Sequence, residues 1–266
     1  MSIPTLTNFV FQFIICISIF KVFRSMLTFL SGNSLKLIGA LLMVIDHIGV
    51  FIFPEVTIYR YIGRLSFPIF AFMISEGAKY TRNKTNYLLG IASLALFCQT
   101  ALYLYDNKNL RMSIFVTFSL SIIIIYALNN FKRAMFEADK NAKLSAAWLF
   151  LITFVLSYLF TCFFEVDYGF SGVLVPVFAS IFDFKDISAS EKIKKLDITS
   201  IRVCALGIGL LFLALSMTSD QFLALLAIPL LLLYSGKRGR LNLKYFFYIF
   251  YPLHLLILEG ISFIIK

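Results

Sequence analysis

An acid and a histidine, Asp46 and His47, stand next to each other inside an otherwise apolar stretch of this 266-residue chain. Two arginines, Arg60 and Arg64, follow where the next apolar stretch begins. Ionisable side chains are costly to bury in apolar segments and commonly mark functional sites there. Side chains of these types can transfer protons, attack as nucleophiles or stabilise a developing negative charge. We therefore take Asp46, His47 and Arg64 as candidate catalytic residues.

The other histidine of the chain, His254, lies in the last apolar stretch. At 1.5 Å per helical residue, His47 and His254 fall roughly 18 Å and roughly 14 Å above the inner boundary of a hydrocarbon core about 30 Å thick. Arg64 falls at nearly the same level as His47. Matched depth predicts that both imidazoles face one cavity, with His254 as a further catalytic candidate. The alternative is structural, with each histidine bonded to a neighbouring helix of a bundle.

Helical geometry separates Asp46 from His47, because adjacent residues on a helix point about 100° apart. We therefore expect Asp46 to pair with Arg64, or else with Arg60. An unpaired carboxylate at that depth would cost several kcal/mol or take up a proton. This pairing leaves His47 to face a cavity that His254 completes.

The elements that must position these residues are membrane-spanning helices. Sixty per cent of the residues are hydrophobic and 14% are charged, and the mean hydropathy is +0.89. A helix needs about 20 mostly apolar residues to span a bilayer. The sequence therefore predicts an all-α, polytopic membrane helix bundle with about ten transmembrane helices. The candidate spans are approximately 3–21, 35–54, 58–76, 87–105, 112–128, 146–164, 169–183, 201–217, 220–235 and 245–265. The fifth and seventh are short, so nine or eight spans remain open.

The basic residues alternate from one connection to the next. The connections after every odd-numbered span hold most of the 24 lysines and arginines, and the remaining connections are richer in acids. By the positive-inside rule, the basic connections lie in the cytoplasm and both termini lie outside. We therefore attribute the net charge of +10 to the basic connections that set the orientation of the chain in the membrane. We expect a multi-pass protein of a bacterial inner or plasma membrane, surrounded by membrane lipids, with no nucleic-acid partner.

Basic residues also cluster at the inner ends of the second, third and fourth predicted spans. Lys36, Arg82 and Lys84 can bind the phosphates of a polyanionic cosubstrate through charge-assisted hydrogen bonds. The positive-inside bias alone accounts for such residues as well. We take these three side chains as candidate cofactor-binding residues.

Candidate substrate-binding residues lie on the opposite side. Asp167 and Tyr168 precede the seventh span and face outside, where Asp167 either meets a positively charged acceptor or ends a helix. Tyr251 lies three residues before His254, on the same helical face, and can donate to it or to a substrate. A core or interfacial tyrosine is the alternative. The four cysteines stand in apolar runs without metal-ligand spacing, so no metal is expected.

Four blocks of the chain, in this order, resemble the TraX family, whose founding activity is N-terminal acetylation of a conjugative pilin, within a superfamily of transmembrane acyltransferases. The similarity covers roughly residues 34–258. The blocks are Met43-Val44-Ile45-Asp46-His47-Ile48-Gly49, Gly63-Arg64-x-x-Phe67-Pro68-x-Phe70-Ala71, Asp167-Tyr168-Gly169-x-x-Gly172-Val173-Leu174 and Phe247-Tyr248-x-x-Tyr251-Pro252-x-His254-Leu255.

The resemblance implies that an acyl group, for TraX proteins acetyl, passes from acyl-CoA on the cytoplasmic side to an acceptor protein or glycan. In the wider superfamily a basic residue precedes an essential histidine by eleven positions, and Lys36 and His47 reproduce that spacing, with lysine where arginine is commoner. Residues 1–30 form an extra transmembrane helix before a TraX-like domain over 31–266.

The leading hypothesis is an integral membrane acyltransferase that transfers acetyl from acetyl-CoA to an amine or hydroxyl, such as a pilin N-terminus or another surface molecule. Two alternatives belong to other classes. A proton-coupled transporter also places acids, histidines and arginines in the membrane, and a structural subunit of a pilus or conjugation assembly uses polar residues for helix contacts.

Overall fold

A computed structural model describes residues 28–105, 112–137, 139–241 and 243–265, and this part of the chain is helical without any β-strand. The predicted N-terminal helix, over residues 1–30, falls almost entirely outside the described residues. In chain order the elements are α1 (Gly32–Phe51), α2 (Thr57–Gly63), α3 (Ser66–Tyr80), α4 (Lys84–Tyr105), α5 (Ile114–Glu137), α6 (Lys140–Phe163), α7 (Gly169–Ser180), α8 (Glu191–Lys194), α9 (Thr199–Ser216), a 3₁₀ helix (Ser219–Leu226), α10 (Ala227–Leu232) and α11 (Lys244–Ile265).

Five of the described helices are long and apolar enough to cross a membrane: α1, α5, α6, α9 and residues Phe246–Ile265 of α11. Two shorter apolar segments, Gly169–Ser180 and Ser219–Leu232, accompany them. The prediction of an all-α bundle with several spans is confirmed in this coarser form. The count of ten spans and the outside location of both termini stay predictions.

The distribution of side chains is the reverse of that in a soluble protein. Phe263 and Leu215 are 87% and 76% exposed, whereas Arg202 and Glu76 are 2% and 6% exposed. A soluble domain would bury the former and solvate the latter. Large contiguous apolar surfaces of this kind fit a lipid environment. The fold is therefore that of a membrane protein.

Two predicted spans are interrupted. The third, over 58–76, consists of α2 and α3, which meet at Arg64 and Leu65, where the Arg64 N–H still bonds the Arg60 carbonyl at 3.1 Å. The ninth, over 220–235, is the 3₁₀ helix followed by α10. Each break shortens a crossing element, so α2 and the 3₁₀ helix contribute polar side chains near the same end of the bundle.

Helix α3 lies at the centre of the described bundle. Most of its residues are buried, including Ile69 and Phe72, which pack with Leu206 and Leu210 of α9 and with Val175 of α7. Helix α1 packs against α3 too, and the Ser66 hydroxyl donates to the Gly39 carbonyl at 2.8 Å. The two ends of α3 consequently hold their charged neighbours in fixed positions.

The loop before α11 holds the start of α1. Backbone N–H groups of Gly32 and Asn33 donate to the carbonyls of Lys237 and Arg238 at 2.8 and 2.9 Å. These bonds satisfy donors that a helix N-terminus otherwise leaves free. Gly239 passes close to Asn33 with a φ of 95°, a left-handed conformation that glycine adopts readily. The loop therefore begins α11 beside α1.

Candidate active site

Helices α1 and α11 run side by side in the same direction, because three contacts join them in the same chain order. The Lys36 ammonium lies 5.8 Å from the centre of the Phe247 ring. Further along, His47 Nδ1 lies 2.8 Å from His254 Nε2. Near the other end, the Ser262 hydroxyl donates to the Phe51 carbonyl at 2.7 Å. The structure thus joins the two histidines, as their predicted depths require.

The hydrogen bonds of the pair assign its tautomers. His254 Nδ1 lies 2.9 Å from the Phe250 carbonyl oxygen, which only accepts, so Nδ1 carries the proton. In the neutral ring His254 Nε2 is then the acceptor, and His47 Nδ1 donates to it. His47 Nε2 is consequently left with a lone pair. This assignment follows from the network of bonds, since hydrogens are inferred from such networks.

Packing holds the ring of His254 in this orientation. The ring stacks on Phe250 with centroids 4.9 Å apart and meets the Tyr251 ring edge-on at 5.5 Å. His254 is buried, with 6% of its surface exposed. A ring held by stacking and by a backbone carbonyl cannot rotate without losing both. His254 therefore presents Nε2 to His47 as a fixed acceptor.

Asp46 pairs with Arg60, and the sequence-based preference for Arg64 is wrong. Asp46 Oδ2 and Arg60 Nη1 form a hydrogen-bonded ion pair. The reason is the corner between α2 and α3: Gly63 packs directly against the Asp46 side chain, which places Arg60, one turn earlier, beside the carboxylate. The second oxygen, Asp46 Oδ1, is buried without a hydrogen-bond partner.

Arg64 turns towards the 3₁₀ helix instead. Its Nη2 lies 3.9 Å from Asp220 Oδ2, at the start of the 3₁₀ helix, and its Nε is buried without a hydrogen-bond partner. Its side chain also interacts electrostatically with Tyr168. Buried polar atoms are nearly always paired in native proteins. Arg64 Nε, a donor, and Asp46 Oδ1, an acceptor, are therefore suited to bind a ligand.

Tyr168 occupies an unusual backbone conformation next to this cluster. Its φ is 62°, in the left-handed region, and its ring stacks on Phe67 with centroids 4.2 Å apart. Gly172 permits this arrangement, because a Cβ there would overlap the Tyr168 side chain. Strained residues of this kind cluster at functional sites.

The remaining predicted substrate-binding residues converge on the same place. The Tyr251 ring meets Phe115 edge-on at 4.5 Å, and its hydroxyl interacts electrostatically with Asp167 and Tyr168. The Asp167 carbonyl accepts a hydrogen bond of 2.7 Å from the Thr117 hydroxyl, which fixes the connection before α7. The structure thus brings Asp167, Tyr168 and Tyr251 together with the histidine pair. Their roles in catalysis and binding stay predictions.

The predicted cofactor-binding residues lie at the other end of the bundle and do not converge. Lys36 covers Phe247, and Lys84 Nζ lies 5.7 Å from the centre of the Tyr126 ring. Arg82 is exposed. Among the described residues, no contact joins these three side chains.

Sequence reasoning missed a set of buried charges at this same end. Arg202 of α9 forms an ion pair with Glu76 and donates to the Ser75 hydroxyl at 2.8 Å. Lys79, one turn after Glu76, pairs with Asp197 and lies 3.6 Å from Asp183. The signal was the spacing of Glu76 and Lys79, which places both on one face of α3. Their partners come from α9 and from connections distant in the sequence, which spacing along α3 cannot reveal.

Comparison with known proteins identifies a family over most of the chain. A family model described as TraX protein matches residues 31–262. A protein of Rickettsia prowazekii (strain Madrid E), described as uncharacterized, is 32% identical over 82 residues. That match covers 31% of this chain and 33% of the relative, so the chain aligns with about a third of its length. No solved structure matches the chain.

Proposed function

The chain belongs to the TraX family, and from this membership we propose that it is an integral membrane acyltransferase of a bacterial inner or plasma membrane. It transfers acetyl from acetyl-CoA to an amine or hydroxyl, on a pilin N-terminus or another surface molecule. The observation that carries the proposal is the hydrogen bond between His47 and His254, which leaves His47 Nε2 as a base. Family membership adds the association with pilin acetylation.

In the proposed reaction, His47 Nε2 takes the proton of the acceptor as its nitrogen or oxygen attacks the thioester carbonyl. A bond forms between the acceptor and the carbonyl carbon, and the carbon–sulfur bond breaks. The same proton then passes from His47 to the leaving thiolate. His254 holds the His47 tautomer and shares the positive charge while His47 is protonated. General base catalysis of this kind contributes about 10²- to 10⁴-fold. A transient acyl group on His47 is the other route.

The arginines and the tyrosines complete the proposed site. Arg64 Nε, a buried donor without a partner, stabilises the oxyanion or binds an acceptor carbonyl. Asp46 holds Arg60 and presents Oδ1 to the acceptor. Asp167, Tyr168 and Tyr251 form the acceptor side of the site.

The two substrates approach from opposite ends of the bundle in this proposal. Lys36, Arg82 and Lys84 belong to the end that the positive-inside rule assigns to the cytoplasm, where acetyl-CoA is available. The histidine pair and Asp167 lie towards the other end, where a surface protein or glycan arrives. A cation-rich inner end fits the phosphates of coenzyme A. No metal takes part.

The test is acetyl transfer by the purified protein and its His47→Ala variant. We expect wild-type protein to release coenzyme A from acetyl-CoA when given a competent acceptor, and the variant to lose at least 100-fold in rate. Candidate acceptors come from cells fed labelled acetate, whose labelled surface proteins and glycans are compared with and without the gene. An unchanged rate in the variant would remove His47 from the mechanism.

A further inference from the structure

A cleft at the Lys79 end of the bundle is not accounted for by the histidine site. It lies between the ends of α3, α4 and α5 and the connection after α7, and it is partly open to solvent. Its lining comprises Ala78, Lys79, Lys84, Asn129, Arg133, Asp183, Asp186 and Ile187.

The cleft contains two cations that form no close ion pair, although Arg133 interacts with Glu137 at longer range. Lys79 is already paired, with Asp197 and Asp183. Lys84 and Arg133 have no carboxylate within ion-pair distance among the described residues. Two like charges held at one cleft repel each other unless a ligand supplies the opposite charge.

An unpaired acceptor stands beside these cations. Asn129 Oδ1 is buried and has no hydrogen-bond partner. Tyr126, Asn129 and Arg133 recur at intervals of three and four residues, so they line one face of α5. Tyr126 donates to the Lys84 carbonyl at 3.1 Å, which holds the first turn of α4 against this face. A ligand that fits must therefore combine negative charge with a hydrogen-bond donor.

Lys132, next to Arg133 on α5, holds the connection that forms one wall of the cleft. The Lys132 ammonium donates to the carbonyls of Ser180 and Asp183 at 2.9 and 2.7 Å. These bonds satisfy acceptors at the C-terminal end of α7. Asp183 is thereby held facing Lys79. Asp183 and Asp186 are the two carboxylates of the lining, and a bound anion must avoid Asp186, which is exposed at the rim.

We propose that this cleft binds the 3′-phosphoadenosine end of the acyl-CoA. Lys84 and Arg133 bind its phosphates, and Asn129 Oδ1 accepts from the adenine amino group or a ribose hydroxyl. The inference rests on the proposed acyl transfer and extends it, since it names Asn129 and Arg133 and assigns no role to Arg82. The acyl end then reaches His47 along the flexible arm of coenzyme A.

The experiment measures binding of adenosine 3′,5′-bisphosphate, coenzyme A and 3′-dephospho-coenzyme A to the full chain in nanodiscs of zwitterionic lipid. We expect Arg133→Gln and Lys84→Gln to weaken the bisphosphate and coenzyme A about tenfold or more, because each loses a charged hydrogen bond. Asn129→Leu, which keeps a similar volume, weakens them several-fold. Lys192→Gln is the matched control, because Lys192 is an exposed cation of the same end outside the cleft, and it leaves binding unchanged.

Two outcomes overturn the assignment. In one, the Arg133 and Lys84 variants bind the bisphosphate and coenzyme A as tightly as wild type. In the other, the bisphosphate does not bind, and in a second set of nanodiscs that contain anionic lipid the same variants lose only the retention of that lipid, which identifies a lipid headgroup as the phosphate source. His47→Ala keeps bisphosphate binding if the cleft assignment is right, whether or not acetyl transfer occurs. The experiment therefore distinguishes a wrong assignment of the cleft from a wrong proposal of acyl transfer.

Discussion

The paired ring nitrogens of His47 and His254 are the strongest chemical feature of this protein. One bond of 2.8 Å joins them, and the Phe250 carbonyl fixes the proton on the far side of His254. A chain of two imidazoles that ends on a backbone acceptor leaves one defined basic nitrogen. That is the arrangement expected of a general base whose partner sets its tautomer.

Substitution of His254 tests this arrangement directly. His254→Phe keeps a ring that can stack on Phe250 but removes the acceptor for His47 Nδ1. We expect kcat for acetyl transfer to fall about 100-fold, because His47 loses its fixed tautomer. The KM for acetyl-CoA stays near the wild-type value, since the phosphate contacts lie elsewhere. Steady-state kinetics with varied acetyl-CoA separates the two effects.

Leu253→Ala is the control for that variant. Leu253 is the preceding residue of α11, and it is 49% exposed on the outer surface of the bundle. Its truncation leaves kcat within about twofold of wild type, as surface substitutions away from special contacts usually do. Full activity of His254→Phe, or an equal loss in both variants, contradicts the role given to His254.

The pairing of Asp46 is tested by two double-mutant cycles. We expect Asp46→Asn and Arg60→Gln to couple by about 1 kcal/mol, a modest value because the Arg60 side chain is 34% exposed. Asp46→Asn and Arg64→Gln couple less, because Arg64 faces Asp220. The measurement is the free energy of unfolding of each variant in detergent. Stronger coupling to Arg64 contradicts the observed ion pair.

The corner between α2 and α3 is the element that sets the geometry around Asp46. Arg60 and Arg64 are one helical turn apart in this segment, but they pair with different carboxylates. The Arg64 N–H still bonds the Arg60 carbonyl at 3.1 Å, so the two arginines lie one helical turn apart and the directions of their side chains decide their partners. Gly63 lies directly against the Asp46 side chain.

Gly63→Ala is predicted to disturb this corner. The added methyl group overlaps the Asp46 carboxylate, so α2 or the Asp46–Arg60 pair must shift. Overpacking of this kind costs about 1–3 kcal/mol, and acetyl transfer falls with it. Thermal unfolding in detergent and the rate of acetyl transfer measure the two effects.

Gly260→Ala supplies the matched control on α11. A Cβ at Gly260 meets no atom within 4 Å, and the backbone there is helical. Alanine in a helix interior is more favourable than glycine by about 1 kcal/mol, so this variant is as stable as wild type or more stable. If Gly63→Ala is equally well tolerated, the close packing against Asp46 is not a constraint on the site.

Taken as a whole, the molecule has an apolar outer surface and two polar ends. One end holds Arg64, Asp167 and Asp220, the other holds the buried ion pairs and the cleft, and the histidine pair lies between them. This division suits an enzyme that takes its substrates from opposite sides of a membrane. It also makes the orientation of the chain a functional prediction.

Cysteine labelling in intact cells tests that orientation. In a chain without native cysteines, Glu55→Cys and Lys192→Cys each place one thiol at an exposed position, on opposite ends of the bundle. The positive-inside rule predicts that an impermeant maleimide labels the former in intact cells and the latter only after permeabilisation. The reverse pattern shows the opposite topology and moves the proposed coenzyme A site outside the cell.

The sequence by itself predicted the membrane class of the protein and matching levels for His47 and His254 along their helices. Apolar composition and span length require a membrane bundle, and the predicted spans from 35–54 onwards coincide with described helices or helix pairs. The level of His47 and His254 followed from residue counts, because the rise per residue of a helix is constant. The level of a residue along its helix axis can therefore be predicted from the sequence.

Only the tertiary structure decided how each helix is rotated about its axis and which residues far apart in the sequence are in contact. Asp46 pairs with Arg60 and not with Arg64, and Glu76 pairs with Arg202, which is 126 positions away in the sequence. Such choices depend on the packing of several helices around α3. No local pattern encodes them, because the free energy of an ion pair depends on which partner packing brings within reach.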